Sequence, residues 1–264
     1  MHDFKHIFEF VSTSFAEALW PTRCVGCDLP GTLLCPSCRA KLPLIDPATA
    51  CPRCGAPWGG LVCTECFDAH GDAGDAPHAP AFPFSATRAA LSFESVGAAL
   101  VTCYKDAGER RLAPLLAALL TRAMCADGAA ANGAPACTMH PVESWEGWAD
   151  ALVAIPPRAD ALRRCGFDHL APVAERTAQW LSVPLLHPLA PARATLDQRA
   201  LDPELRQRNL SGSFAVTDAS SLPGARIVLV DDVLTTGATT SAAAEALLAG
   251  GAAEVRVAVV ARVW

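Results

Sequence analysis

The residues best suited to chemistry are Asp231 and Asp232. They follow the apolar run Ile227, Val228, Leu229, Val230 and precede Val233, Leu234, Thr235, Thr236, Gly237, Ala238, Thr239 and Thr240. The apolar run, rich in β-branched residues, reads as a buried strand, and the alanine-rich stretch after Thr240 reads as a helix. A parallel strand delivers its carboxyl end to the sheet edge where α/β folds bind ligands. A loop running from there onto a helix start offers free backbone N–H groups and the positive end of the helix dipole, which together attract a phosphate. Gly237 lets the main chain approach that anion without a Cβ in the way. Thr235, Thr236 and Thr239 add hydroxyl donors. The two carboxylates would repel phosphate and suit ribose hydroxyls, from which they can accept hydrogen bonds. A plain acidic turn before a Thr-capped helix is the simpler reading, but adjacent aspartates at a sheet edge are a costly choice for it. The loop lacks the Gly-Lys-Ser/Thr of a Walker motif and the Gly-x-Gly-x-x-Gly of a dinucleotide fold.

The second chemical group is metallic in character. Eight of the twelve cysteines fall in four Cys-x-x-Cys pairs: Cys24 and Cys27, Cys35 and Cys38, Cys51 and Cys54, Cys63 and Cys66. Two thiolates on one tight turn can reach one ion at about 2.3 Å, and two such turns complete a tetrahedral site. Four pairs therefore predict two structural Zn²⁺ ions. Disulfides would need an oxidising compartment, a thioredoxin-like redox pair would need one such motif before a helix, and of zinc and iron–sulfur ligation the even pairing favours zinc. Sequential pairing gives two ribbons and interleaved pairing gives one cross-braced module; the longer gap between the inner pairs favours the sequential arrangement. Cys103, Cys125, Cys137 and Cys165 are isolated and read as ordinary thiols.

The elements that must position these groups are legible in outline. Half of the 264 residues are apolar and 18% are charged, enough for a sizeable core. Residues 1–70 read as a short amphipathic helix over residues 4–19 and the cysteine module. Residues 71–83 read as a linker of Ala, Asp, Gly, His and Pro. From residue 84 onward, strand signals at 89–93, 151–155, 183–186, 227–230 and 254–260 alternate with helix signals at 96–104, 111–125, 170–181 and 240–248. Residues 127–149 and 190–212 read as irregular. That alternation predicts an α/β fold with a mostly parallel sheet.

Charge narrows the partners. The net charge is −6, against the strong basic excess expected of a duplex-DNA binder. Residues 151–214 carry eight Arg, no Lys and six acids. An arginine-only surplus suits oxyanion recognition, because the guanidinium fork matches phosphate geometry. Asp3, Glu9 and Glu17 interrupt the first apolar stretch, so it does not read as a secretory signal. No membrane insertion is expected, and the expected location is the cytoplasm.

The run from Ile227 to Thr240 resembles the 5-phosphoribosyl 1-diphosphate signature of type I phosphoribosyltransferases. The four-pair cysteine head resembles the double zinc ribbon of ComF-family competence proteins. Tyr104 and Lys105 are similar to that family's Tyr-Lys element. Ile155, Pro156, Pro157 and Arg158, with Arg163, Arg164, Cys165, Gly166, Phe167, Asp168 and His169, are similar to its Pro-x-x-x-Arg and Arg-Gly-Phe-Asn-Gln stretch. Cys165, Asp168 and His169 depart from that pattern. Gln198, Leu201, Arg206, Arg208, Asn209, Gly212 and Phe214 are similar to a further family segment.

The resemblance implies a parallel-sheet type I phosphoribosyltransferase-like domain over residues 84–264, preceded by a small zinc-ribbon module. It implies that Asp231 and Asp232 hold the ribose of 5-phosphoribosyl 1-diphosphate, or of a related nucleotide, and that Thr235, Thr236, Gly237, Ala238 and Thr239 hold its 5′-phosphate. Pro156, Pro157, Arg158 and Lys105 would meet the diphosphate. Arg206, Arg208 and Asn209, on a hood over residues 191–213, would close over it. Mg²⁺ would accompany the diphosphate. If the domain is catalytic, the reaction is displacement at ribose C1, with Asp231, Asp232 and Arg158 as the catalytic set. Competing readings are a non-catalytic nucleotide or sugar-phosphate sensor and a DNA-handling accessory of natural transformation. In the last, the zinc module binds single-stranded DNA or DNA-uptake proteins, with Trp20, Trp58 and Phe67 as stacking candidates.

Overall fold

The computed structural model describes residues 21–57, 62–68, 82–126, 143–158, 162–163, 166–192 and 213–264. The expected helix over 4–19, most of the linker, Trp20, Trp58, Arg164, Cys165 and the hood residues Gln198, Arg206, Arg208 and Asn209 lie outside them.

Two short helices, α1 (Pro36–Arg39) and α2 (Thr64–Asp68), belong to the cysteine region. There follow β1 (Ala86–Ser92), α3 (Ser95–Lys105), a 3₁₀ turn (Arg110–Leu112), α4 (Ala113–Cys125), β2 (Ala151–Ala154) and α5 (Ala171–Leu181). After β3 (Leu185–Leu186) come β4 (Leu189–Pro191), β5 (Phe214–Val216), β6 (Arg226–Leu234), α6 (Ala238–Ala249) and β7 (Glu254–Arg262). Five strands form one sheet in the order β1-β7-β6-β2-β3, every neighbouring pair parallel. Strands β4 and β5 form a separate antiparallel pair.

The core follows from the sequence pattern. β6 and β7 are central, and central parallel strands are covered on both faces, so their runs are apolar without alternation. Ile227, Val228, Leu229, Val230, Val257, Ala258 and Val259 are fully buried. Each such Leu or Ile side chain contributes roughly 2 kcal/mol of transfer free energy. α4 opens with a proline in its first turn, where the missing N–H is harmless. It buries Leu116, Leu119, Leu120 and Met124 and packs against β1, β7 and α5. α6 packs on β6, β7 and the β4–β5 pair.

Several boundaries differ from those expected. β6 runs four residues past position 230, so Asp231 and Asp232 sit within the strand and not on a loop. The cause is β7, which continues to Arg262 and keeps Asp231, Val233 and Leu234 in register with Val259, Ala261 and Arg262. Cross-strand pairing outweighs the turn preference of aspartate. The turn itself is shortened to Thr235, Thr236 and Gly237. α6 begins at Ala238, two residues earlier than expected, because Gly237 takes a left-handed conformation (φ +79°) that swings the chain straight into the helix. The β4–β5 pair was not expected: prolines at 188 and 191 mask its short strands.

The cysteine region is fastened to the free edge of β1. Leu44 bridges Leu91, Ile45 N–H donates to Ala90 O at 3.0 Å, Ser92 N–H donates to Pro43 O at 2.8 Å, and Thr87 N–H donates to Pro52 O at 2.9 Å. An open strand edge invites unwanted pairing, and here the cysteine region covers it.

Candidate phosphoribosyl site and metal centres

The acidic pair lies at the carboxyl end of β6, on the edge where β2 also ends. Successive strand residues face opposite ways, so the two acids meet different neighbours. Asp232 Oδ2 accepts from Lys105 Nζ at 2.5 Å, and it lies 2.8 Å from His169 Nε2. Lys105 is the last residue of α3, and His169 precedes α5. The preceding residue on α3, Tyr104, donates its hydroxyl to His169 O at 2.6 Å, so the Tyr-Lys element pins the 166–169 segment and grips Asp232 together. Phe167 stands edge-on to both Tyr104 and His169, with the Arg110 guanidinium 4.4 Å from its centroid. Asp168 Oδ1 accepts from the N–H groups of Leu170 and Ala171 and so fixes the chain as it enters α5. Asp168 and His169, the departures from the family pattern, therefore both have a place in the structure.

The electrostatics split the pair. Burial and the Asp232 charge push the Asp231 carboxyl well above the usual carboxylate range. Burial also opposes ionisation of Asp232, but the His169 hydrogen bond and the Lys105 ammonium outweigh it and hold that carboxyl below the usual range. Burial disfavours the Lys105 ammonium, which Asp232 and Asp231 more than restore.

The turn after β6 leaves Thr235 and Thr236 exposed and Gly237 buried. Gly237 occupies the N-cap of α6 and contributes no side-chain cap. Ala238 N–H makes only a long 3.4 Å contact with Thr236 Oγ1. Thr240 Oγ1 turns inward and donates to Gly237 O at 2.9 Å. A Cβ on residue 237 would lie 2.6 Å from Phe82 Cε1, so the space expected to admit an anion beside Gly237 holds the Phe82 ring instead, and glycine is needed there to seat that ring and for φ. Pro156, Pro157 and the exposed Arg158 follow β2, which neighbours β6. Among the described residues, the cavity bordered by Tyr104, Lys105, His169 and Asp232 is about 10 Å³, room for about one water. A larger cavity of about 230 Å³, lined by Ile45, Pro52, Arg88 and Trp145, lies elsewhere and touches none of these residues.

The cysteines assemble as two tetrads, Cys24, Cys27, Cys35, Cys38 and Cys51, Cys54, Cys63, Cys66, which is the sequential pairing. Within each tetrad all sulfurs lie within 4.8 Å of one another. The Cys27–Cys35 and Cys54–Cys63 sulfurs are 3.7 and 3.6 Å apart. A zinc–sulfur bond of about 2.3 Å gives tetrahedral sulfur–sulfur edges of about 3.8 Å, so both donor sets fit zinc. The crowding splits the thiols of the first tetrad: burial and the neighbouring thiols push Cys38 up to about 12, while at Cys24 burial is outweighed by backbone hydrogen bonds, which bring it down to about 6. In the second tetrad, burial and the Cys51 charge push Cys66 up as they do Cys38.

Comparison with known proteins matches these two regions separately. Residues 15–68 match the double zinc ribbon domain family, and residues 171–263 match the phosphoribosyl transferase domain family. The DNA utilization protein YhgH of Salmonella typhi is 36% identical over 41% of this chain and 47% of its own length. Competence protein F of Haemophilus influenzae is 29% identical over 41% of this chain and 48% of its own. Region by region, the chain is thus similar to a double zinc ribbon and to a phosphoribosyl transferase domain. It spans about half the length of the curated relatives it matches. A solved glutamine phosphoribosylpyrophosphate amidotransferase from B. subtilis is 19% identical over 56% of this chain and 26% of its own; its TM-score of 0.34 adds nothing to the assignment.

The structure brings Asp231, Asp232, Lys105 and the 235–239 turn to one sheet edge, with Pro156, Pro157 and Arg158 one strand away. Sequence reasoning did not include His169 in the site. Its signal was the departure itself, an ionisable ring in a segment that carries amides in the family. No helix among the described residues is long and apolar enough to cross a membrane.

Proposed function

We propose that the carboxyl edge of the sheet holds a 5-phosphoribosyl group, with 5-phosphoribosyl 1-diphosphate as the ligand. One observation carries the reading: an acidic pair at the end of β6 runs through a three-residue turn into the α6 N-terminus, whose N-cap glycine supplies no side-chain acceptor. Free N–H groups there favour an anion. Asp231 and Asp232 accept from ribose hydroxyls, Thr235 to Thr239 surround the 5′-phosphate, and Arg158 and Lys105 neutralise the diphosphate. Lys105 and His169 hold Asp232 ionised and fixed before the sugar arrives. Two carboxylates are too few for a protein-only magnesium cage, so Mg²⁺, an oxygen-seeking ion that keeps its waters, enters with the diphosphate.

If transfer occurs, the C1–diphosphate bond breaks, diphosphate leaves, and a nucleophile forms the new bond at C1. The chain's residues position the reactants and neutralise charge. Calorimetry with 5-phosphoribosyl 1-diphosphate and Mg²⁺ tests the site. Heat is expected from the native chain and none from the Asp231→Asn, Asp232→Asn double variant; no heat from the native chain overturns the reading. Diphosphate release across a panel of bases and amines then separates transferase from sensor.

The relatives are named for DNA utilization and for competence. We infer that this chain serves DNA uptake or utilization, as a phosphoribosyltransferase-fold protein of natural transformation, with the zinc module contacting single-stranded DNA or DNA-uptake proteins. Direct contact with single strands predicts an affinity that falls as salt rises. A salt slope of zero would leave protein partners as the route.

A further inference from the structure

One buried cation is absorbed by neither the acidic site nor the metal ligands. Arg262, the last residue of β7, is only 4% exposed. Its Nε donates to Cys54 O at 2.9 Å, and its Nη1 donates to Leu234 O at 3.2 Å and Thr235 O at 2.7 Å. Cys54 belongs to the second tetrad, and Thr235 opens the phosphate turn. Among the described residues no carboxylate lies within ion-pair distance of Arg262. A buried guanidinium satisfied by neutral carbonyls alone is costly and needs a countercharge. Four thiolates outweigh one divalent ion, so the loaded second centre is net anionic and supplies that countercharge beside Cys54.

A second bridge runs in parallel. Phe82 packs against the second cysteine cluster, stacks on Phe84 at 4.7 Å, and roofs Gly237 so closely that a Cβ there would clash. The same centre is tied to β1 through Thr87, which donates from N–H to Pro52 O and from Oγ1 to Arg53 O. The first centre makes neither bridge: Cys24 and Cys38 pack in the main core, and Gly26 faces Val96 of α3.

We propose that the second metal centre is a positioning element for the phosphate turn, acting through Arg262 and Phe82, so that metal binding at Cys51, Cys54, Cys63 and Cys66 and anion binding at Thr235–Thr239 reinforce each other. This rests on the reading of that turn as an anion site. Arg262 is a positioning residue, since the ligand touches the turn and not the guanidinium.

The test uses the full chain and two measurements. Hydrogen exchange of the amides at 235–240, without ligand, reads the turn directly; calorimetry with ribose 5-phosphate reads affinity. Arg262→Gln and Cys54→Ser are expected to speed exchange at 235–240 and weaken ribose 5-phosphate each by about tenfold, the usual size of such coupling. Exchange at 24–38 and zinc at the first centre should stay as in the native chain, a pattern that general loss of stability would not give. Cys24→Ser should leave exchange at 235–240 within about twofold of native. If Arg262→Gln does not fold, Cys54→Ser and graded chelation of the native chain make the same comparison. Unchanged exchange at 235–240 after loss of the second ion, or equal acceleration by Cys24→Ser, overturns the proposal. If the native chain binds no ribose 5-phosphate, the site reading fails while exchange still decides the coupling.

Discussion

The two cysteine tetrads are chemically alike and structurally different. The first is built into the main core: Cys24 and Cys38 are buried among the residues that line α3 and β1, while Cys27 is exposed. The second forms its own small cluster with Ala56, and its Cys51 and Cys54 are almost wholly buried. Its outward ties go to β1 through Thr87 and to the turn at 235–237 through Arg262 and Phe82. The contrast teaches that one ligand chemistry can serve two mechanical ends. A metal inside a core stabilises the whole chain, whereas a metal outside it stabilises whatever its bridges reach.

The sharpest way to break that comparison is to remove one ligand from each centre. Cys24→Ser is expected to cost more than about 4 kcal/mol of global stability in urea unfolding, since metal loss there also disturbs the core. Cys63→Ser is expected to cost less than half as much. Equal losses would show that the centres do the same work.

The next effect concerns the acidic pair. Asp232→Asn leaves Lys105 with a lost partner in a partly buried site, and is expected to cost about 2 kcal/mol at pH 7. The sign with pH follows from the lowered Asp232 carboxyl: the stabilisation is present above the unfolded value of 3.8 and fades as pH falls through the folded one. The native–variant difference in urea midpoint should therefore shrink below pH about 4.

Gly237→Ala joins the two regions. It forces a Cβ into the Phe82 ring at a left-handed φ, and is expected to cost about 1–2 kcal/mol and to loosen the second centre's cluster. Faster zinc loss from that centre alone, followed with a chromogenic chelator, would sharpen the comparison; unchanged release from both would weaken it.

The smallest effect has the opposite sign. Asp231 is raised by burial and by Asp232, so its ionisation disfavours the fold above the unfolded value of 3.8. Asp231→Asn should stabilise the free chain by about 1 kcal/mol at pH 7, a gain that vanishes below pH about 4, while abolishing ligand heat. A destabilised Asp231→Asn variant would contradict the burial assigned to this carboxyl.

Much of this was legible in the residues. The order of strands and helices, the eight ligands and their sequential pairing, and the passage from acidic pair to glycine to helix all come from local pattern: turn geometry, apolar runs and spacing act within a few positions of each residue. The length of β6 was not legible, because Asp231 and Asp232 have poor strand preference and only the partner strand β7 holds them extended. Nor was His169, whose ring meets a carboxylate 63 residues away.

The sequence by itself determined which cysteines pair as metal ligands and which turn leads from an acidic pair into a helix. Tertiary structure alone decided that Lys105 reaches Asp232 across 127 residues and that Arg262 reaches Cys54 across 208. Those contacts depend on how β1, β7 and β6 align and how α3 docks, and such long-range register is set by collective packing of the core, which leaves no mark at any one position.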